Sequence, residues 1–447
     1  MKEFSVTLKE GILRGLRTSD TNPRNTEALT ECHNLKPGAG DLESYEAITD
    51  ISGALSVSWP YPQVFLGSNY RLICTNTTVY EMDSSWTQTS KVVTTADDIW
   101  DLADFGTYCL LANGTKLVEI DADGAYSAND SLTNTPRFLT GCNFKGQLVA
   151  GNIKTTWHGC GTNSVIWSAI GSIDCTPNAS NIAGFREMPW NGTVKRVLPL
   201  DTGVVVYGDN GIAALIPRGT TFGLKPLLGT GIPFKGAVAG DDKEHLFVDQ
   251  EGTFWKITAD FQLKELGYKE FGSLIDLTEI MVSYDTGKKE YFICDDSYSY
   301  LLTRYGLGQM YQRVTSVCNV DGVTYGVSDD DSDLEGRIIT DTLDFGVRGI
   351  KTVMTVEAGI NHASGSDMHF RAGYRYNKTS AITNLGWRLA SPEGFATLVA
   401  GGTEFRIGLK VDSYLTTNVD SLIVRVKLTD RRTLKGPPAQ WIGAITG

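Results

Sequence analysis

The chain has 447 residues, 41% hydrophobic and 21% charged, which excludes wholesale disorder and allows two or three domains, or fewer if it is all-β. Glycine stands at 48 residues against 14 prolines with no Gly-x-y period, so collagen-like and proline-rich linker architectures fall away and a turn-rich globular protein is left. A net charge of −12 argues against a surface built to grip nucleic acid phosphates.

The N-terminal Met1-Lys2-Glu3-Phe4-Ser5-Val6 lacks the apolar core of a signal peptide, and no run of 18 apolar residues follows anywhere. A protein without a membrane span, not secreted by the standard route, is expected. Residues 1–50 read as a polar, loop-like segment with Pro23, Pro37, Gly38 and Gly40, ending in a strand at 45–51 suited to closing a ring.

From residue 51 to 340 one unit recurs: three apolar strands separated by turns of Gly, Asn or Asp. The units read 63–66, 70–74 and 79–82; then 100–103, 108–112 and 116–120; then 138–143, 147–150 and 165–168. They continue as 197–200, 204–207 and 213–216; 236–239, 245–248 and 254–257; 280–284, 290–294 and 298–302; and a shorter 314–319, 323–327 and 337–339. Second strands begin near 70, 108, 147, 204, 245, 290 and 323, mostly about 40 residues apart. An all-strand period of about 40–50 residues is the signature of a β-propeller. Seven units fit seven blades, or six if the short last one is not a blade. The second strands are apolar on both alternating faces, as in Leu246-Phe247-Val248 and Tyr291-Phe292-Ile293, which suits sheets stacked between two neighbours. An insertion at 154–163 lengthens the third unit.

After the acidic run at 329–335 the repeat stops. Residues 341–434 read as an antiparallel, sandwich-like β domain with one wet face: Phe405, Ile407, Leu409 and Val411 oppose Glu404, Arg406, Lys410 and Asp412. Leu422, Val424, Val426 and Leu428 likewise oppose Arg425 and Lys427. Residues 435–447 read as a C-terminal arm.

No reactive constellation emerges, and no enzyme, cofactor or metal is expected. Asp249-Gln250-Glu251-Gly252-Thr253-Phe254-Trp255 approaches the sialidase Asp-box but places its Asp one residue early, so an ordinary hairpin turn is expected. Asp329, Asp331, Asp333 and Glu335 alternate as in a calcium loop, yet Leu334 stands where Gly is needed and Thr340 where the bidentate Glu belongs. His158, Cys160 and Cys175 lack zinc spacing. Neither Gly-x-Ser-x-Gly nor a Walker loop occurs. The eight cysteines are expected to be buried free thiols, and sequons at Asn76, Asn113, Asn129, Asn178, Asn191 and Asn377 reflect turn composition.

Three stretches carry a resemblance. They are Arg14-Gly15-Leu16-Arg17 followed by Asn34-Leu35-Lys36-Pro37-Gly38-Ala39-Gly40-Asp41-Leu42; Val323-Thr324-Tyr325-Gly326-Val327-Ser328; and Thr342-Leu343-Asp344-Phe345-Gly346 with Lys351-Thr352-Val353. In this order the chain resembles the tail nozzle family (tail tubular protein B, or tail hub) of short-tailed bacteriophages. The resemblance implies a structural virion protein assembled in the host cytoplasm. It further implies a homohexamer around a channel below the portal and adaptor, near tail fibres or a needle, with transient non-specific contact to DNA as it is ejected. Arg14, Arg17 and Arg24 with the insertion residues Trp157 and His158 are the candidate contacts with neighbouring proteins, since Arg-rich segments and inserted loops are common interface material. Each also fits an ordinary solvated loop. A receptor- or glycan-binding propeller is the alternative reading, followed by a glycan-cleaving one.

Overall fold

The computed structural model describes residues 3–17, 28–45, 48–53, 55, 62–67, 70–95, 99–329, 335–361, 367–413 and 417–429. The chain divides into two compact units: Ile48–Tyr298 with Arg313–Asp329, and Met1–Ala47 with Ser299–Gln312 and Asp330–Gly447.

The first unit is a β-propeller. Its seven inner strands are Gln63–Leu66, Asp101–Asp104, Phe138–Phe144, Val194–Leu200, Val238–Gly240, Met281–Asp285 and Val314–Val320. Five of them open complete four-stranded meanders, spanning 63–93, 101–129, 138–187, 194–228 and 238–265. In the sixth blade Met281–Asp285 pairs with Glu290–Cys294. The ring closes where the seventh inner strand meets the first, and the Val64 N–H donates to Ser316 Oγ at 2.9 Å.

Alternation along the second strands builds the walls. In Arg71–Cys74, Leu72 and Cys74 pack with Cys109, Leu111 and Val118 of the second blade, while Ile73 packs with Val64, Cys318 and Val327 on the other side. In Cys109–Ala112, Leu110 and Ala112 turn instead to Leu148, Ala150 and Ile166 of the third blade. Val149, Val197, Val206 and Phe222 fill the next gap. A period-2 strand buried on both faces therefore needs apolar residues at every position, each worth about 1.5–3 kcal/mol when a Val or Leu is fully buried. Outermost strands are exposed, as in Tyr126–Asn129 and Leu263–Glu265.

Aspartates close the turns. Asp83, Asp121 and Asp249 each accept, through Oδ1, the N–H groups two and four residues ahead, at 2.7–2.9 Å. These side-chain bonds replace ladder bonds that a tight turn cannot make. The backbone N–H of Thr87, then that of Ser85, holds the Asp83 carboxyl below its ordinary range.

Two features differ from the sequence reading, while the ring-closing strand expected at 45–51 is present as Thr49–Asp50, which pairs in parallel with Val323–Ser328 as the seventh blade's third strand. Residues 337–339, expected there, lie instead in Gly336–Thr340 of the other unit, between Leu29–His33 and Glu404–Val411. The short apolar pair Ile338 and Ile339 fits either sheet. Finally, residues before 48 are not simply loop-like. Glu3–Leu8 pairs with Asn418–Leu428 so that Phe4, Val6 and Leu8 sit opposite Val426, Val424 and Leu422.

The second unit has two sheets, antiparallel except that Leu29–His33 pairs in parallel with Leu307–Met310. One runs Leu35–Pro37, Leu42–Ser44, Asn418–Leu428, Lys351–Asn361, Phe395–Gly402, with Glu3–Leu8 also on Asn418–Leu428. The other includes Leu307–Met310, Leu29–His33, Gly336–Thr340, Glu404–Val411 and Met368–Arg375, with Arg388–Leu389 and Thr383–Asn384 along the last. Phe405, Ile407, Leu409 and Val411 are buried, as are Leu422, Val424 and Val426, so the expected alternation separates core from solvent.

Candidate functional site

The polar interior of the propeller lies along the inner strands. Asp101 on the second is almost fully buried, and its Oδ2 accepts the Thr140 hydroxyl of the third at 2.5 Å. Thr140 Oγ1 in turn accepts the Val197 N–H of the fourth strand at 2.9 Å. Arg196, one residue earlier, sets its guanidinium 3.2 Å from Asp101 Oδ1 and donates to the carbonyls of Lys235 and Val238 at 3.3 and 3.0 Å. Lys235, in the 3-10 turn Lys235–Ala237 before the fifth inner strand, is wholly buried. Its ammonium donates to Ile99 O at 2.6 Å and Leu139 O at 2.8 Å, and lies 3.8 Å from Asp101 Oδ2. Beside it Ile99, Met281, Cys294 and Phe234 form a small apolar cluster. One carboxylate, two cations and four carbonyls thus stitch blades two to five together. Each charge in the network has an opposite charge or a carbonyl beside it, while Asp101 Oδ1 and Arg196 Nε are buried without a hydrogen-bond partner; the network fills the interior and fixes blade register.

Other buried polar groups are consumed in the same way. His245 is fully buried, with Nε2 donating to Pro199 O at 3.0 Å and Nδ1 accepting the Tyr207 hydroxyl at 2.9 Å, the tautomer these partners require. Burial holds its pKa down at about 4. Asp249 takes the Trp255 indole N–H on Oδ2 at 2.8 Å besides its two turn bonds, which makes the Asp-box-like segment a self-satisfied hairpin turn. Asp285 is likewise buried and accepts from Gly287, Lys288, Asn319 and Thr324, tying blade six to blade seven.

The expected contact residues fall into separate groups. Arg14 and Arg17 are exposed in the second unit, Arg14 ending the turn Ile12–Arg14; Arg24 lies outside the described residues. In the propeller, Trp157 and His158 occupy a tight turn closed by the Cys160 N–H on Trp157 O at 2.7 Å. Trp157 packs on the core between blades two and three. His158 is exposed at φ 46° and stacks on Phe185, with centroids 5.9 Å apart and rings 11° from parallel. Phe185 is itself 44% exposed.

No group of three metal-ligating side chains occurs among the described residues. Of the calcium-like run, Asp331 and Asp333 lie outside the described residues; Asp329 is held by Arg313, and Glu335 pairs with Lys410 at 2.9 Å. Sequence reasoning missed Asp101, Arg196, Lys235 and Phe185. The first three did carry a signal: charged residues inside or just before strands whose neighbours are apolar.

No family model matches the chain, and no curated protein matches it. Among solved structures it is similar to PorZ of Porphyromonas gingivalis, described as an essential bacterial surface component of the type-IX secretion system. The two share 9% identity over 72% of this chain and 44% of that one, with a TM-score of 0.37. It is also similar to Hsv2p of Kluyveromyces lactis, at 11% identity over 60% of this chain and 84% of that one, with a TM-score of 0.35. This chain therefore spans less than half the length of PorZ. What defines the class, a β-propeller accompanied by a two-sheet, mainly antiparallel unit, is the run of seven inner strands. Among the described residues no helix is long and apolar enough to cross a membrane.

Proposed function

We propose that the chain is a structural subunit of the tail nozzle of a short-tailed bacteriophage, a virion protein that forms a homohexameric ring below the portal and adaptor and conducts DNA during ejection. The observation that carries this reading is the propeller interior. Asp101, Arg196 and Lys235 pair with one another and with the strand carbonyls, which leaves only Asp101 Oδ1 and Arg196 Nε of the network without a hydrogen bond and favours a unit that offers shape and assembly surface over a reactive group. The three resembling stretches at 14–42, 323–328 and 342–353 supply the family. A charge of −12 per subunit suits a conduit, since acids along a channel wall repel passing phosphates. Tail fibre or needle proteins are its expected neighbours, and no cofactor has a role.

A receptor- or glycan-binding propeller is the second reading. It is favoured by the exposed His158–Phe185 stack, an aromatic surface of the kind sugar rings pack on. Negative-stain images of the purified protein separate the two. Six-fold rings support the nozzle. Dispersed single copies that bind an array glycan saturably support the second reading, and glycan turnover by them would overturn the non-enzymatic reading as well.

A further inference from the structure

We infer that the two open edges of one sheet in the second unit pair between copies of this chain, Phe395–Gly402 of one copy adding to Glu3–Leu8 of the next, so that the ring shares a continuous sheet. The inference rests on the ring reading above and names its seam.

Phe395–Gly402 ends its sheet. It pairs with Lys351–Asn361, and no strand among the described residues lies on its other side. Exposed edges are normally guarded by lysine, proline, a bulge or an inward charge. This one, Phe-Ala-Thr-Leu-Val-Ala-Gly-Gly, has no charged residue and no proline. Its outward row is apolar at both ends: Phe395 is 37% exposed and Val399 60%. Val399 has φ 49°, in the left-handed region that β-branched residues avoid, at a bulge where the register shifts between Val353 and Thr355. The bulge is the strand's only guard, and it leaves the Val399 side chain out in solvent where a neighbouring copy would cover it.

The partner is a second copy on grounds of charge and geometry. Copies that each carry −12 repel, and their seam is least costly where no acid lies. Phe395–Gly402 has none. Glu3–Leu8 has one, Glu3, whose charge Lys427 offsets at 3.4 Å. Glu3–Leu8 stands at the opposite side of the same sheet, paired only with Asn418–Leu428 among the described residues. Because Glu3–Leu8, Asn418–Leu428, Lys351–Asn361 and Phe395–Gly402 are successively antiparallel, the two edges run in opposite directions. Copies laid side by side therefore meet as an antiparallel pair. Faces match as well: the more exposed Ser5 and Thr7 alternate with Phe4, Val6 and Leu8, as Thr397 and Val399 do with Ala396, Leu398 and Ala400. Such a seam joins two different patches head to tail, as a cyclic ring requires, whereas Phe395–Gly402 pairing with itself would stop at a dimer.

The test uses the full chain. In the double variant Ser5→Cys with Thr397→Cys, mild oxidation is expected to give a ladder of cross-linked multimers on a non-reducing gel, collapsed by reductant and absent from either single variant. Val399→Glu is expected to lose the ring by mass photometry while keeping the wild-type circular dichroism and urea midpoint, and Val399→Thr to keep the ring. Wild-type rings with no ladder, together with intact rings in Val399→Glu, overturn the seam alone. A dimer cross-linked by Thr397→Cys by itself overturns it in favour of self-pairing. A monomeric wild-type chain overturns the ring reading and the seam with it.

Discussion

Lys235 places an ammonium group where no water reaches it, held by two acceptors, Ile99 O and Leu139 O, with the Asp101 carboxylate 3.8 Å away. Desolvating an ion pair costs several kcal/mol, so the network is worth less as a stabiliser than as a specifier of how blades two to five meet. Its failure modes are unequal. Asp101→Asn leaves Arg196 and Lys235 buried without their counter-charge and is expected to destabilise the propeller by about 3–5 kcal/mol. Lys235→Met leaves Asp101 with Arg196 and is expected to cost less; equilibrium urea unfolding of both variants checks the order. His245 provides a second residue-scale test. Its native pKa of about 4 lies below the ordinary 6.5, so between these values the unfolded chain takes up a proton that the native one refuses. This contribution is complete above pH 6.5 and is lost as pH falls toward 4, reaching about 3 kcal/mol. Stability measured in urea across that window should fall in wild type, and the fall should be shallower in His245→Gln.

The elements repeat one design, and most of it was legible. Second strands such as Cys109–Ala112 announced themselves because burial on both faces forces apolar residues at every position. Strands Glu404–Val411 and Asn418–Leu428 were legible for the opposite reason, their clean alternation. What could not be read was partnership. Gly336–Thr340 has the residues of a propeller strand and sits in the other unit, since a short apolar run does not name the sheet that takes it. Thr49–Asp50 does close the ring, as the strand expected at 45–51 suggested, although both residues are exposed. Its hold comes from Asp50, whose carboxylate accepts the Ser52 N–H at 3.1 Å, the Ser52 hydroxyl at 2.7 Å and the Ser328 N–H at 3.3 Å. Asp50→Ala is expected to cost about 1–2 kcal/mol and to speed hydrogen exchange in Val323–Ser328 before other blades. The candidate contacts were legible only in part. Trp157 and His158 do share a turn, but Phe185, which completes the exposed stack, is far off in sequence and lay in no motif.

At the scale of the whole molecule, the eight cysteines behave as one population. All are free, seven are buried, and every thiol is shifted upward, by burial in the first place; Cys32, Cys109, Cys175 and Cys318 are each pushed up to about 12. The unfolded chain loses these protons from about pH 9, where the native chain keeps them, so stability is intact below pH 9 and falls as pH rises toward 12. Lys351 acts in the opposite sense, its pKa lowered to about 8 by burial, but one lysine stands against eight thiols. Alkaline unfolding should therefore steepen above pH 9, and Cys142→Ala should lower that slope by up to about one proton. The central claim is that blades stacked wall to wall, with their charges spent on one another, serve as a scaffold for assembly. A cryo-EM reconstruction of the purified full chain tests it most directly. The account predicts six-fold rings in which each copy carries a closed seven-bladed propeller with Lys235 buried between blades. Solitary copies with a ligand held by Asp101 and Arg196 would contradict it.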